Sequence, residues 1–201
     1  MPIVEETMKG LLLAGGYDKI PPALRRTIPR RRPYNRRATM TFITDRDIEF
    51  MQMALDKARL APALGEVPIA AVIVKDGRVL AQVHNFREVW QDPTAHAEVV
   101  AIREVANRLR TWRLTGTTMY VTVEPCSMCA GAIIQARISR LVFGAKDPKA
   151  GACGSVFNLP SERRLNHRVA VCGGVLERES QELMQTFFRG LRIDVSERTG
   201  L

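Results

Sequence analysis

The stretch Thr117-Thr118-Met119-Tyr120-Val121-Thr122-Val123-Glu124-Pro125-Cys126-Ser127-Met128-Cys129-Ala130-Gly131-Ala132 decides the fold. Its first seven residues are rich in β-branched and aromatic side chains and read as a central strand. The strand runs straight into Glu124-Pro125, and a proline at the first helical position suits a new helix, expected through about Arg137. A strand passing directly into a helix is the building step of an α/β sheet. The junction also carries chemistry. Cys126 and Cys129 stand at i and i+3, on one face of a helical turn, where both sulfurs can reach a single ion.

Upstream, Pro93-Thr94-Ala95-His96-Ala97-Glu98 supplies what the two thiols lack. His96 gives a third ligand. Three protein ligands leave the fourth position of a tetrahedral zinc open for water, as in catalytic rather than structural sites. Glu98 is then free to act as acid and base. The order His-x-Glu…Pro-Cys-x-x-Cys is the established signature of zinc nucleobase deaminases. His96 is expected in the first turn of its helix, with Cys126 and Cys129 in the first turns of the next. The ion then lies between two helix N-termini, whose positive ends favour thiolates.

Hydrolytic removal of a ring amine needs a nucleophile at neutral pH, and zinc lowers the pKa of a water to about 7. The ring nitrogen beside the attacked carbon must gain a proton, and the amine must leave as ammonia. One carboxylate within reach can carry both protons. Glu98 is the acid that the motif places there. Each feature alone has a plainer meaning. Cys-x-x-Cys is also a redox dithiol or half of a structural zinc knuckle, and Cys153 and Cys172 are too far apart to complete a knuckle. A lone His96 at a helix start is also a cap or core residue. The features taken jointly, in a strand–helix context, point to the catalytic metal. His84 and His167 read as structural or surface residues. The Phe187–Phe188 pair reads as core ahead of a base-stacking platform.

Elements on either side complete the pattern. Thr44-x-x-Asp47 resembles a capping box, and Ile48, Met51, Leu55 and Ala58 follow at helical spacing to about Ala61-Pro62. Val67 to Val74 fits a buried strand, Asp76-Gly77 a hairpin turn, and Val79 to Val83 the returning strand. After a polar loop, Asp92-Pro93-Thr94 is expected to open a helix to about Leu109. Ser139 to Gly144 and Val169 to Cys172 read as further strands. Leu176 to Leu191 reads as a final helix, with Leu183, Met184, Phe187, Phe188 and Leu191 on one face. The expected fold is a three-layer α/β/α sandwich with a central mixed five-stranded sheet.

Composition sets the outer bounds. A chain of 201 residues that is 46% hydrophobic supports one good core. No apolar run approaches the roughly 20 residues that span a bilayer. Leu11-Leu12-Leu13-Ala14 falls short of the roughly 7–15 residues of a secretory core. A soluble, cytoplasmic protein with no membrane partner is expected, and four cysteines suit a reducing compartment. The net charge is +9, but residues 1–41 hold nine Lys/Arg against three acids and so carry +6 of it. The rest is only mildly basic, and bulk charge does not argue for RNA. Residues 1–41 also hold Gly15-Gly16, Pro21-Pro22, Pro29 and Pro33 without periodicity, and read as a basic, flexible extension to a domain at 42–201. A phosphate-touching arm, an inert extension or a true start at Met40, and an organelle transit peptide are its three readings.

From about Thr44 to Arg192 the chain resembles the bacterial TadA-type tRNA adenosine deaminases of the cytidine-deaminase-like superfamily. The resemblance rests on Glu66-Val67-Pro68, Asp92 to Glu98, Tyr120 to Ala132, Val142 to Asp147, Asn166-His167-Arg168-Val169 and Phe187-Phe188-Arg189. It implies hydrolysis of adenosine to inosine at the wobble position of a tRNA anticodon, by a homodimer with one Zn2+ per subunit. It further implies that Asn85 hydrogen-bonds the flipped purine, with Ala97 and Pro125 among the substrate-contacting positions. Asp147 and Lys149 would hold flanking nucleotides, and Phe188 and Arg192 would meet the anticodon stem-loop. Ala70 departs from a glycine common in the family, and residues 1–41 lie outside the resemblance. A deaminase of free nucleobases or nucleosides, a silent binding subunit and a structural zinc protein are the competing readings.

Overall fold

Asp76 and Gly77 both adopt positive φ, 50° and 75°, the backbone of a tight hairpin turn whose twist matches the flanking strands. They join β1 (Ala70–Lys75) to β2 (Arg78–His84), paired antiparallel from Ala70 opposite His84 to Lys75 opposite Arg78. This computed structural model describes residues 43–199, with side chains through Arg192. The expected extension at 1–41 lies outside the described residues.

The sheet continues with β3 (Thr117–Val123), β4 (Arg140–Ala145) and β5 (Ala170–Gly173). The spatial order is β2-β1-β3-β4-β5. β1 is antiparallel to both neighbours, whereas β3, β4 and β5 are mutually parallel. The carboxyl ends of β2, β3, β4 and β5 therefore share one edge of the sheet, where open α/β folds place their ligands.

Alternation along each strand sorts the core into two layers. Ala71, Ile73, Met119, Val121, Leu141 and Phe143 face one cluster with Ala101, Val105 and Ile133. These last belong to helices α3 (Ala97–Leu109) and α4 (Ser127–Gln135). Val72, Val74, Tyr120, Val142 and Cys172 face the other cluster, with Phe50, Met51 and Ala54 of α1 (Asp45–Ala58). Helix α5 (Glu177–Thr199) covers β3 and β4. Gly144 permits that approach, because a Cβ there would strike the Thr122 carbonyl at 2.5 Å and the Ser180 side chain. The three-layer sandwich with a five-stranded mixed sheet is as expected.

The capping box at Thr44 and Asp47 is present in both directions. Asp47 is also the centre of a buried polar cluster. Its carboxylate accepts hydrogen bonds from Tyr120 Oη at 3.0 Å and from the Arg140 guanidinium at 2.5 and 3.0 Å. Several boundaries differ from expectation. β1 starts at Ala70 because Val67 and Pro68 belong to a turn closed by Ile69 N–H to Val67 O. α1 stops at Ala58, and Ala61–Leu64 forms a separate 3-10 turn. The polar loop after β2 contains a short helix, α2 (Arg87–Trp90). The buried Glu66 fixes it by accepting from the backbone N–H of Glu88 at 2.8 Å and of Val89 at 3.0 Å. Among the described residues no helix is long and apolar enough to cross a membrane.

Candidate active site

α3 begins at Ala97, not near Asp92. Asp92 instead accepts from the Thr94 backbone and hydroxyl, both at 2.7 Å, and so closes a turn of its own. That leaves His96 as the N-cap residue in extended backbone conformation. α4 likewise begins at Ser127 with Cys126 as its extended N-cap. Pro125 therefore precedes the helix and does not occupy its first turn. The correction has a physical use. An N-cap residue projects its side chain across the end of the helix, so His96 and Cys126 lean into the gap between two helix starts.

The ligand atoms of His96, Cys126 and Cys129 lie within 4.8 Å of one another. His96 Nδ1 is 3.8 Å from Cys126 Sγ and 3.5 Å from Cys129 Sγ. A tetrahedral zinc with bonds of about 2.3 Å to sulfur and 2.0 Å to nitrogen sets those donors about 3.5 Å apart. The donor set and its spacing fit the ion. Cys126 accepts a hydrogen bond from Cys129 and another from the His96 ring, and these hold its thiol down at about 3. The same bond and burial push Cys129 up, and contact with Cys126 raises His96.

Glu98 is 3% exposed, and its Oε2 has no hydrogen-bond partner among the described residues. Burial raises its pKa. A buried carboxyl oxygen without a protein partner, two residues beyond His96, suits a proton carrier. Asn85, at the end of β2, is buried and accepts the Ala97 N–H through Oδ1 at 2.9 Å. It ties that strand end to the helix holding His96 and leaves its amide nitrogen to donate. Ala97 and Pro125 are both buried beside the ligands.

Asp147, Lys149, Phe188 and Arg192 come together elsewhere on the same edge. Val123, Asp147, Lys149 and Phe188 line a cavity of about 370 Å³. An adjoining groove of about 780 Å³ is lined by Lys149, Phe188, Arg189 and Arg192 among others. Phe188 is 43% exposed, with its ring 5.4 Å from Phe187 in an edge-on contact. The expectation that both rings are core is not met: Phe187 is only half-buried and belongs to neither core cluster, and Phe188 borders the open cavity and groove. His84 is buried, bonded through Nδ1 to the Asn85 carbonyl and stacked on Phe86, and His167 bonds to the Ile138 carbonyl. Both are structural, as expected.

Two carboxylates escaped the reading of the sequence as site elements. Glu66 pins α2, and Glu124 gathers the loop that carries Asp147. A buried acid flanked by apolar residues is the available signal, but its partners are backbone groups far along the chain.

The family model for MafB19-like deaminases matches residues 45–192. A tRNA-specific adenosine deaminase of Bacillus subtilis (strain 168) is 49% identical over 71% of this chain and 89% of its own length. The corresponding protein of Aquifex aeolicus (strain VF5) is 46% identical over 73% of this chain and 96% of its own. The chain belongs to the tRNA-specific adenosine deaminase family. A solved structure from studies of A-to-I editing by tRNA:A34 deaminases shares this fold with a TM-score of 0.65. It is 47% identical to this family member and covers 67% of this chain and 98% of its own. Guanine deaminase from Nitrosomonas europaea superposes with a TM-score of 0.60 at 22% identity, covering 86% of this chain and 96% of its own, a likeness of fold alone.

Proposed function

We propose that this protein hydrolyses adenosine to inosine, with release of ammonia, at the wobble position of a tRNA anticodon. The convergence of His96, Cys126, Cys129 and the buried Glu98, whose Oε2 has no partner among the described residues, on one sheet edge carries the reading. His96 and the two cysteines would hold one zinc ion per subunit. Bound there, zinc supplies a Lewis acid that lowers the pKa of a water to about 7. Glu98 would carry two protons in turn, one from the attacking water to the purine ring nitrogen beside the amine and one from the hydroxyl then added to the ring carbon to the amine, which leaves as ammonia. Burial supports this role, since it raises the carboxyl toward the range where it both accepts and gives protons. Asn85 orients the purine through its free amide nitrogen, with Ala97 and Pro125 bounding the pocket.

The groove of Lys149, Phe188, Arg189 and Arg192 favours an RNA over a free base. It pairs cations with an exposed ring, the means by which proteins hold a strand and stack its splayed bases. Likeness to proteins named tRNA-specific adenosine deaminases supports a tRNA substrate, and a homodimer acting in the cytoplasm is part of the same proposal. The test incubates zinc-loaded protein with a stem-loop bearing adenine at the wobble site, and separately with free adenine, guanine and cytosine. Inosine in the RNA with no turnover of bases is expected. Turnover of a free base with no inosine in the stem-loop would overturn the reading in favour of a free-base deaminase.

A further inference from the structure

Glu124 stands between the end of β3 and the first cysteine ligand, and it is 3% exposed. Its carboxylate is surrounded by donors from a single loop. Oε1 accepts from the Cys153 N–H at 2.9 Å and the Ser155 N–H at 3.0 Å. Oε2 accepts from the Asp147 N–H at 3.2 Å and from the Ser155 hydroxyl. Four donors thus meet the two carboxylate oxygens, two at each.

The loop is built around that carboxylate. Gly151 passes so close that a Cβ there would lie 2.5 Å from Glu124 Cδ and 2.5 Å from the Asp147 carbonyl. Gly151 forms a β-bridge with Cys126, and the Ala152 N–H donates to the Pro125 carbonyl at 2.8 Å. At the other end, Asp147 Oδ1 accepts from the N–H groups of Lys149 at 2.9 Å and Ala150 at 3.1 Å. A continuous set of bonds thus runs from Glu124 through Asp147 to Lys149, both of which line the 370 Å³ cavity.

We propose that Glu124 is a positioning residue: it fixes the 147–155 loop against the metal-binding turn and thereby sets the wall that meets nucleotides flanking the target. It touches neither substrate nor ion. The inference rests on the proposed RNA substrate and adds the group that holds one side of its groove. Glu98 determines the chemical step, and Glu124 determines how well the RNA is seated before it.

Glu124→Gln tests this, because the amide keeps the size of the acid but retains a single acceptor oxygen. The neutral side chain can satisfy Cys153 and Ser155 but not Asp147 as well. In zinc-loaded enzyme, KM and the dissociation constant for the stem-loop should each rise about tenfold, the loss of one hydrogen bond to a charged acceptor. The zinc content should stay at one per chain, and kcat should stay within about threefold, since a group used equally in ground and transition state moves KM alone. Ser155→Ala removes one donor and leaves the carboxylate charged, so it should give a smaller rise of the same kind. Unchanged KM with a lowered melting temperature would overturn the proposal and make Glu124 a structural residue only. Loss of zinc, or a fall in kcat at constant KM, would overturn it equally by placing its effect on the ligands or the chemistry. Failure of the wild-type protein to edit the stem-loop is a separate result and would count against the proposed function.

Discussion

Removing the charge of Asp47 should destabilise the domain by about 2–3 kcal/mol, a value fixed by the geometry around that carboxylate. Its side chain is 1% exposed, and its Arg140 partner is 22% exposed. Burial alone would raise its pKa, but bonds from Arg140 and from the Thr44 backbone and hydroxyl overcome it and bring the group from 3.8 to about 2. At about 1.4 kcal/mol per tenfold change in acidity, that depression is worth roughly 2 kcal/mol of folding stability. Asp47→Asn keeps the shape and some of the Thr44 bonding but leaves the guanidinium without its counter-charge, which adds to the loss. Urea unfolding of zinc-loaded protein at pH 7 measures the difference. The sign with pH follows from the direction of the shift. A carboxylate depressed on folding stabilises above its unfolded value near 4, and that contribution fades as pH falls toward 2. The stability gap between wild type and Asp47→Asn should therefore be constant from pH 7 to about pH 5 and should narrow below it. A double variant, Asp47→Asn with Arg140→Met, should lose less than the sum of the two single changes, because the second removes the orphaned charge. A gap under about 0.5 kcal/mol, or one that widens in acid, would refute the reasoning, since a buried broken pair is worth more than that.

Other outcomes follow from the same coordinates. Glu98→Gln should retain one zinc per chain by elemental analysis and lose about 10²- to 10⁴-fold in inosine formation, the usual worth of a proton carrier; undiminished turnover would contradict the shuttle. Cys126→Ser and His96→Ala should each lower both bound metal and activity, and chelation of the wild type should abolish activity until zinc is restored. Gly151→Ala should raise KM for the stem-loop and lower the melting temperature, since its Cβ would press on the Glu124 carboxylate and the Asp147 carbonyl; an unperturbed variant would show that the loop has slack not seen in the structure.

Much of the candidate site was legible because its residues are grouped by short spacings in the sequence. Cys126 and Cys129 are tied by helical spacing, and Glu98 is tied to His96 by two residues. The strand and helix periods likewise marked all five strands and the four long helices, because each buries one face against its neighbours. Boundaries were read less well where side chains bond to backbone. Asp92 closes its own turn and delays α3 to Ala97, and Glu66 builds α2 out of a polar loop. Neither bond has a periodic trace.

What the sequence determined unaided was the candidate donor set of His96, Cys126 and Cys129 that the structure brings together, the order of the elements and the class of fold, since these depend on residue type and short spacing. Only the tertiary structure decided that His96 and Cys126 are N-caps, that Phe188 faces outward, and that Glu124 anchors a loop reaching from Asp147 to Ser155. The physical reasons are two: the short Asp92–Thr94 bonds that set the His96 cap leave no periodic trace, and the bonds to Glu124 come from 23 to 31 residues away and act through space.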